Sequence, residues 1–286
     1  MRWYVRSRSV RRGRDRLVSW GCGLLPDAPE VARSLDGRKF TLEFPRDRGW
    51  EYLYFAGTFE AGTTNVVRRL LRPDDVTFDV GANIGWYTTL LGFHAPHGHC
   101  HAFEPQPTVF DELAANCRLN GLNTNVTLNK LGVAERHGSA TMHHFRDQSL
   151  GHASFSPVLG QSAQAIACEI TTIDEYRRAH SLERIDFIKV DVEGAELLVL
   201  KGAESVFALK PSPMWLLEIN CDTSRAFGYT PSDLLQFLAE RDDFRFFRII
   251  GAWGEAVPMS RIEDCAHGDN VLCIPPGHQA RVSDLV

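Results

Sequence analysis

The sequence predicts an α/β protein built on a doubly wound, mostly parallel sheet, with a β-rich N-terminal extension and an inserted antiparallel strand pair. Three observations carry this. Short runs of β-branched, aromatic and other apolar residues recur from Val76 onward; segments with helical start and stop signals lie between several of them; and the first run ends in a turn, Asp79-Val-Gly-Ala-Asn-Ile-Gly85, that leads into a helix. Alternating strands and helices bury themselves best when crossover helices cover both faces of a parallel sheet. Ligands of such sheets bind beyond the carboxyl ends of the strands, so the turns there are where function is to be sought.

Taken in order, arginines at 2, 6, 8, 11, 12, 14 and 16 crowd the start of the chain. No apolar core of about 7–15 residues comes after them, so residues 1–37 read as a basic arm and not as a secretory signal. Residues 38–75 read as an extension, with Phe40-Thr-Leu-Glu-Phe44 and Tyr52-Leu-Tyr-Phe55 as a hairpin-like pair around Pro45. A helix over 65–71 then puts Val66, Val67, Leu70 and Leu71 on one face and stops at Pro73.

Residues 76–286 read as the main domain. After the strand at Val76, strands are expected at 101–103, 126–128, 185–190, 214–219, 244–250 and 271–274. Pro107 opens a helix that Asn120-Gly121 closes, and Thr230-Pro-Ser-Asp233 opens another with a capping residue, a first-turn proline and an acid three positions on. The stretches 139–145 and 167–170 have no helix between them and read as the antiparallel pair, flanking a polar loop over 146–164.

Composition narrows the classes. A chain of 286 residues that is 44% hydrophobic can bury one large core. No run of about 18 apolar residues occurs, so no helix is expected to span a bilayer. The formal net charge of -5 argues against a nucleic-acid-coated surface. Seven cysteines without a C-x-x-C pair suggest neither a zinc site nor a disulfide framework, and reduced thiols make a cytoplasmic location the expectation. Histidines 94, 97, 99 and 101 have a spacing that suits no tetrahedral site, and no metal is assigned.

The glycine turn gains meaning from the strand next to it in the chain. About 20 residues later this second strand ends in Phe103-Glu104-Pro105, which places Glu104 to accept from the two hydroxyls of a ribose. A dinucleotide turn would carry a third glycine for the pyrophosphate; here Asp79 leads into the turn and Asn83 lies within it, and a carboxylate there suits the cationic end of S-adenosylmethionine instead. Methyl transfer therefore outranks hydride transfer.

The segments FDVGANIGWYT, HAFEPQP, IDFIKVDVEGAELLVLKGAE and WLLEIN, in this order, resemble the FkbM family of S-adenosylmethionine-dependent methyltransferases over residues 55–220, and the later DNVLCIP also fits. The resemblance implies a Rossmann-like class I methyltransferase fold and O-methylation of a small-molecule or glycan hydroxyl, on a sugar, glycolipid or polyketide-type metabolite. It also implies that Asp79, Gly81, Asn83 and Gly85 form the cofactor loop and that Glu104, with Pro105 after it, is the ribose-binding acid. Phe59-Glu60 resembles an aromatic-acid pair ahead of the family's core, which adds Glu60 to the cofactor set. Gly132 and Val133, after the strand at Val126, are placed by position alone to flank the adenine.

For catalysis, strand alternation sends Lys189, Asp191 and Glu193 to one side at a carboxyl end. Asp191 and Glu193 are candidate catalytic residues, with Asp191 also touching the cofactor; Glu218 and Asn220 join the rim. His144 and His152, in the inserted region, are further candidate bases because histidine titrates near neutral pH, and His152 is the preferred one. The acceptor pocket is expected from residues 38–60 and 143–164. Two other readings stand beside this one. An RNA methyltransferase would dock phosphates on the arginine arm, but the overall acidity speaks against a stable nucleic-acid complex. A non-catalytic adenosine-ligand binding protein is disfavoured by the intact motifs.

Overall fold

A sheet covered on both faces needs strands that are apolar at every position, and Met-Trp-Leu-Leu-Glu-Ile at 214–219 meets that need with one exception, Glu218. Met214 and Leu216 enter one hydrophobic cluster, with Phe40, Leu53, Trp86 and Phe187; Trp215, Leu217 and Ile219 enter a second, with Phe78, Ile188 and Val190. The two clusters are the two faces of one sheet, separated by the period-two alternation of its strands.

The computed structural model describes residues 18, 20–21, 28–44, 47, 49–145, 153–154, 163–259, 269–282 and 285. The first half comprises β1 (Glu30–Arg33), β2 (Lys39–Leu42), α1 (Glu51–Ala56), α2 (Ala61–Leu70), β3 (Val76–Val80), α3 (Trp86–His94), β4 (His99–Phe103), α4 (Pro107–Leu119) and β5 (Val126–Asn129). Next come β6 (Gly132–Val133), β7 (Gly138–Phe145), β8 (Ala153–Ser154), β9 (Ala163–Thr171), α5 (Ile173–Ala179) and β10 (Phe187–Val190). The last part holds α6 (Glu196–Lys201), β11 (Met214–Ile219), α7 (Cys221–Ala226), α8 (Pro231–Ala239), β12 (Arg245–Ile250), β13 (Glu255–Pro258) and β14 (Asp269–Ile274).

Eight strands form the central sheet in the order β13-β12-β14-β11-β10-β3-β4-β5. β11, β10, β3, β4 and β5 run parallel, whereas β14, β12 and β13 pair antiparallel. This is the mostly parallel, doubly wound sheet that the sequence predicts, and it is Rossmann-like. The chain leaves β3 toward β4 and β5 on one side and returns to β10 and β11 on the other, so the crevice opens between the carboxyl ends of β3 and β10. At the opposite ends of these two strands, buried Asp75 and Asp186 fix the pairing. Arg281 grips Asp75 through both carboxylate oxygens at 2.6 and 2.9 Å, and Asp186 accepts from the Val76 amide at 2.9 Å.

Three details depart from expectation. Residues 52–55 lie in helix α1, not in a strand. Leu53, Tyr54, Phe55 and Ala56 are all buried, and Gly57 closes the turn in a left-handed conformation (φ 71°), so an aromatic run that favours either structure is decided by packing. Residues 30–33, expected within the basic arm, form β1, which pairs with β2 and buries Ala32 fully against the core. The inserted pair is part of a separate four-stranded sheet, order β6-β9-β7-β8, in which β7 and β9 are antiparallel and β6 runs parallel to β9.

The turn after β3 shows why a glycine stands at position 81. Its φ is +82°, and a Cβ there would overlap the main-chain carbonyl of Asp191, at the end of neighbouring β10. Gly81→Ala is expected to lower stability by about 2–4 kcal/mol, the sum of left-handed strain and overpacking. Gly37, also left-handed (φ +90°) but with open space around it, isolates the strain, and Gly37→Ala should cost only about 1–2 kcal/mol. Urea midpoints of the two variants check the difference; equal losses would mean that the contact with Asp191 relaxes freely.

Candidate active site

The carboxyl ends of β3, β4, β10 and β11 converge on one cavity, whose lining includes Glu60, Gly81, Asn83, Glu104, Pro105, Gly132, Val133, Asp191, Glu193 and Glu218. Five carboxylates thus face one space, and Lys189 is the single basic side chain among its described lining residues.

Glu104, at the first position past β4, is held by main chain on both sides. Its Oε2 accepts from the Asn83 amide and its Oε1 from the Gln106 amide, each at 2.9 Å. Each oxygen keeps a second lone pair that a hydroxyl can use. Burial pushes the carboxyl up to about 7, against the two amides that favour its ionised form.

A second arrangement centres on Lys189. Its ammonium lies 2.9 Å from Asp191 Oδ2, 4.0 Å from Asp79 Oδ1 and 4.7 Å from the centre of the Tyr87 ring. Burial alone would lower its pKa, but Asp191, Asp79 and Glu60 outweigh burial and hold the lysine protonated above its ordinary range. The Tyr87 hydroxyl donates to Glu60 Oε2 at 2.6 Å, and Asn270 Nδ2 donates to the same oxygen at 3.5 Å. Burial and then the nearby Asp191 raise Glu60. Glu218 hydrogen-bonds Asp191, and the charge of Asp191 together with burial raises it strongly, so it is the protonated member of that pair. Burial and Asp191 push Glu193 up to about 8.

Backbone strain gathers at the same place. Four non-glycine residues among those described have positive φ, and three of them, Glu60 (42°), Asn83 (50°) and Glu193 (54°), line this cavity. Such conformations persist only where the surroundings enforce them, and they cluster at functional sites.

Not every expected residue reaches the cavity. Asp79 is fully buried beneath the turn, where its Oδ2 accepts from the Thr88 hydroxyl at 2.6 Å and its Oδ1 faces Lys189 without a hydrogen bond. It lies below the cavity and is not among the residues that line it. Gly85 is the left-handed N-cap of α3 (φ 93°), set close against Leu113. Asn220 caps α7 by accepting from the amides of Asp222 and Thr223, so it faces the helix and not the rim. Glu193 arrives by the turn after Val190, since the strand ends there, and not by strand alternation. His152 and the side chain of His144 lie outside the described residues. Tyr87 and Trp86 went unread because their apolar, helical context, Trp86-Tyr-Thr-Thr-Leu90, carries no chemical signature. Among the described residues no group of three or more His, Cys, Asp or Glu is arranged to hold a metal, and no helix is long and apolar enough to cross a membrane.

Residues 79–246, more than half of the chain, match the methyltransferase FkbM domain. The chain belongs to the FkbM methyltransferase family. It is 33% identical over 191 residues to hexuronic acid methyltransferase AglP of Haloferax volcanii, covering 63% of this chain and 69% of that one. It is 27% identical over 162 residues to 31-O-demethyl-FK506 methyltransferase FkbM of Streptomyces tacrolimicus, covering 47% of this chain and 61% of that one. It is 28% identical over 155 residues to 2-O-methyltransferase NoeI of Sinorhizobium fredii, covering 49% and 61%. A crystal structure of methyltransferase FkbM from Methylobacillus flagellatus KT is similar at 19% identity and a TM-score of 0.45, over 71% of this chain and 44% of that one.

In this FkbM-family site Lys189 offsets the fully buried Asp79 and the partly buried Asp191, so removing it leaves both uncompensated. Lys189→Met is expected to lose about 3–5 kcal/mol at pH 8. Burial raises the Asp79 carboxyl, which is costly only while ionised, so the deficit should shrink as pH falls toward 5 and Asp79 takes up a proton. Urea unfolding at the two pH values measures this; a deficit that does not change with pH would assign the loss to packing.

Proposed function

We propose that the protein transfers a methyl group from S-adenosylmethionine to a hydroxyl of a sugar, glycolipid or polyketide-type metabolite. The observation that carries this reading is the cavity's charge arrangement at the switch point: a backbone-clamped carboxylate with spare lone pairs at the end of β4, and a group of carboxylates at the ends of β10 and β11. A ribose diol fits the first and a cationic methionine moiety fits the second, whereas a pyrophosphate would be repelled. The names of the relatives, a hexuronic acid methyltransferase, a 31-O-demethyl-FK506 methyltransferase and a 2-O-methyltransferase, support an oxygen acceptor.

S-adenosylmethionine brings an already activated methyl group on a sulfonium, which leaves the protein three tasks. Glu104 would accept from the ribose hydroxyls, and Gly132 with Val133 would flank the base. Glu60 and Glu193 supply acceptors in a cavity whose field favours a cation. Asp191, ionised by its bond to Lys189 and bonded to protonated Glu218, is the acceptor for the hydroxyl proton. Glu193, pushed up to about 8, is ready for that role only in alkaline solution. Alignment can supply on the order of 7–11 kcal/mol of the barrier and a general base roughly 3–5 kcal/mol.

Two measurements test this. Asp191→Asn should lower kcat, read with labelled methyl donor at saturating concentration, by about 10²–10⁴-fold; an unchanged kcat would remove Asp191 from proton transfer. Cofactor binding should also depend on pH through Glu104. Its raised carboxyl is protonated below about 7, so calorimetric affinity should rise as pH passes upward through that value. Glu104→Gln should bind more weakly and lose this dependence, and an unchanged titration in that variant would exclude Glu104 from the binding site.

A further inference from the structure

Beside the cavity lies a second and larger void, a groove of about 1090 Å³, bounded by the β1–β2 turn, α2 and the turn between β12 and β13. Small-molecule sites usually occupy about 300–1,000 Å³, so the groove is large enough for an extended ligand. Gly49, Phe59, Glu60 and Trp86 line both spaces. A ligand lying in the groove can therefore present one of its groups to the cavity past Phe59 and Glu60.

The groove's chemistry is the reverse of the cavity's. Its basic residues are Arg38, Arg68 and Arg69, and its acids are Asp36 and Glu60. Asp36 is already bonded to the Arg38 Nε, at 3.1 and 3.0 Å, and Glu60 accepts from Tyr87. Arg68 and Arg69 are both exposed on α2, and the bond from Arg68 to the side-chain oxygen of Asn65 is long, at 3.4 Å. Neither forms an ion pair among the described residues. Arg38 is 1% exposed, with its guanidinium 4.3 Å from the Trp86 ring centre, and its Nη2 has no hydrogen-bond partner. Two arginines without ion pairs, in a groove whose lining also includes the Asp36-paired Arg38, suit an anion, since the guanidinium fork matches carboxylate and phosphate oxygens. Trp253, 58% exposed in the lining, adds an apolar ring face against which a sugar ring can pack.

We propose that this groove is the acceptor site and that it takes an anionic sugar, the carboxylate or phosphate held by Arg68 and Arg69, a ring against Trp253, and a hydroxyl directed past Phe59 into the cavity. This rests on the methyltransferase reading above. The shared chemistry is an oxyanion on a sugar, and its two sources, a uronate and a phosphorylated sugar, are separated by the test.

Three matched acceptors decide the matter: an aryl glucuronide, the corresponding aryl glucoside 6-phosphate and the neutral aryl glucoside, each incubated with labelled methyl donor and the full chain. One or both charged acceptors should exceed the neutral one at least tenfold in kcat/KM, and whichever does so names the source. The double variant Arg68→Gln/Arg69→Gln should raise KM for the charged acceptor at least tenfold, leaving kcat, the neutral acceptor and cofactor affinity unchanged. Equal or better use of the neutral glucoside, or an anionic preference that survives the double variant, overturns the groove assignment while methyl transfer stands. Acceptor binding read by ligand-observed NMR probes the groove without turnover. Binding selective for charge and lost in the double variant, but with no methyl incorporated, supports the groove and sinks the transfer reading; no binding and no transfer overturn both.

Discussion

Lys189 is the constraint on which the site depends. Five carboxyl groups face the cavity and Asp79 lies beneath it, and the ionised members of such a crowd would not tolerate burial without a cation. β10 places the lysine between β3 and β11, so that Asp79, Asp191 and, through Asp191, Glu218 are all tied to one ammonium. The pairing of β10 with β3 fixes this geometry, because Lys189 is in register with Asp79 across the two strands. The electrostatics of the site are thus an outcome of strand register, and the Arg281, Asp75 and Asp186 contacts at the far ends of the same strands help to hold that register.

Much of this was legible in the sequence. The parallel strands, the Pro107 and Thr230 helix starts and the antiparallel insertion come from periodicity and capping, because those signals act over a few neighbouring residues. So does the convergence of Glu104, Asn83, Asp191 and Glu193, because a doubly wound sheet brings the turns after its strands together. What failed to show depends on contacts distant in sequence. Residues 52–55 have the composition of a strand, and only their packing makes them a helix. Gly81 reads as room for a ligand, but its nearest obstacle is the backbone of residue 191, more than a hundred positions away. Asp79 reads as a ligand contact, and the structure instead buries it against Thr88 and Lys189.

The groove illustrates the same limit. Sequence alone places an acceptor pocket at residues 38–60 and 143–164. Residues of the first range line the groove, while the turn carrying Trp253 gives no local sign, since a tryptophan in a glycine-rich turn suggests neither helix nor strand. Its importance appears only when β12 and β13 bring that turn up to α2, where Gly62 and Gly254 pack main chain against main chain.

The left-handed glutamates at 60 and 193 bear on how such a chain can change over time. An L-residue with a Cβ carries a conformational penalty there that glycine avoids, so glycine at either position would relieve backbone strain while erasing a carboxylate from the cavity. Selection for a relaxed backbone alone would drift toward a chemically blank version of this protein. Glutamate at both positions is therefore accounted for by chemistry and not by backbone preference.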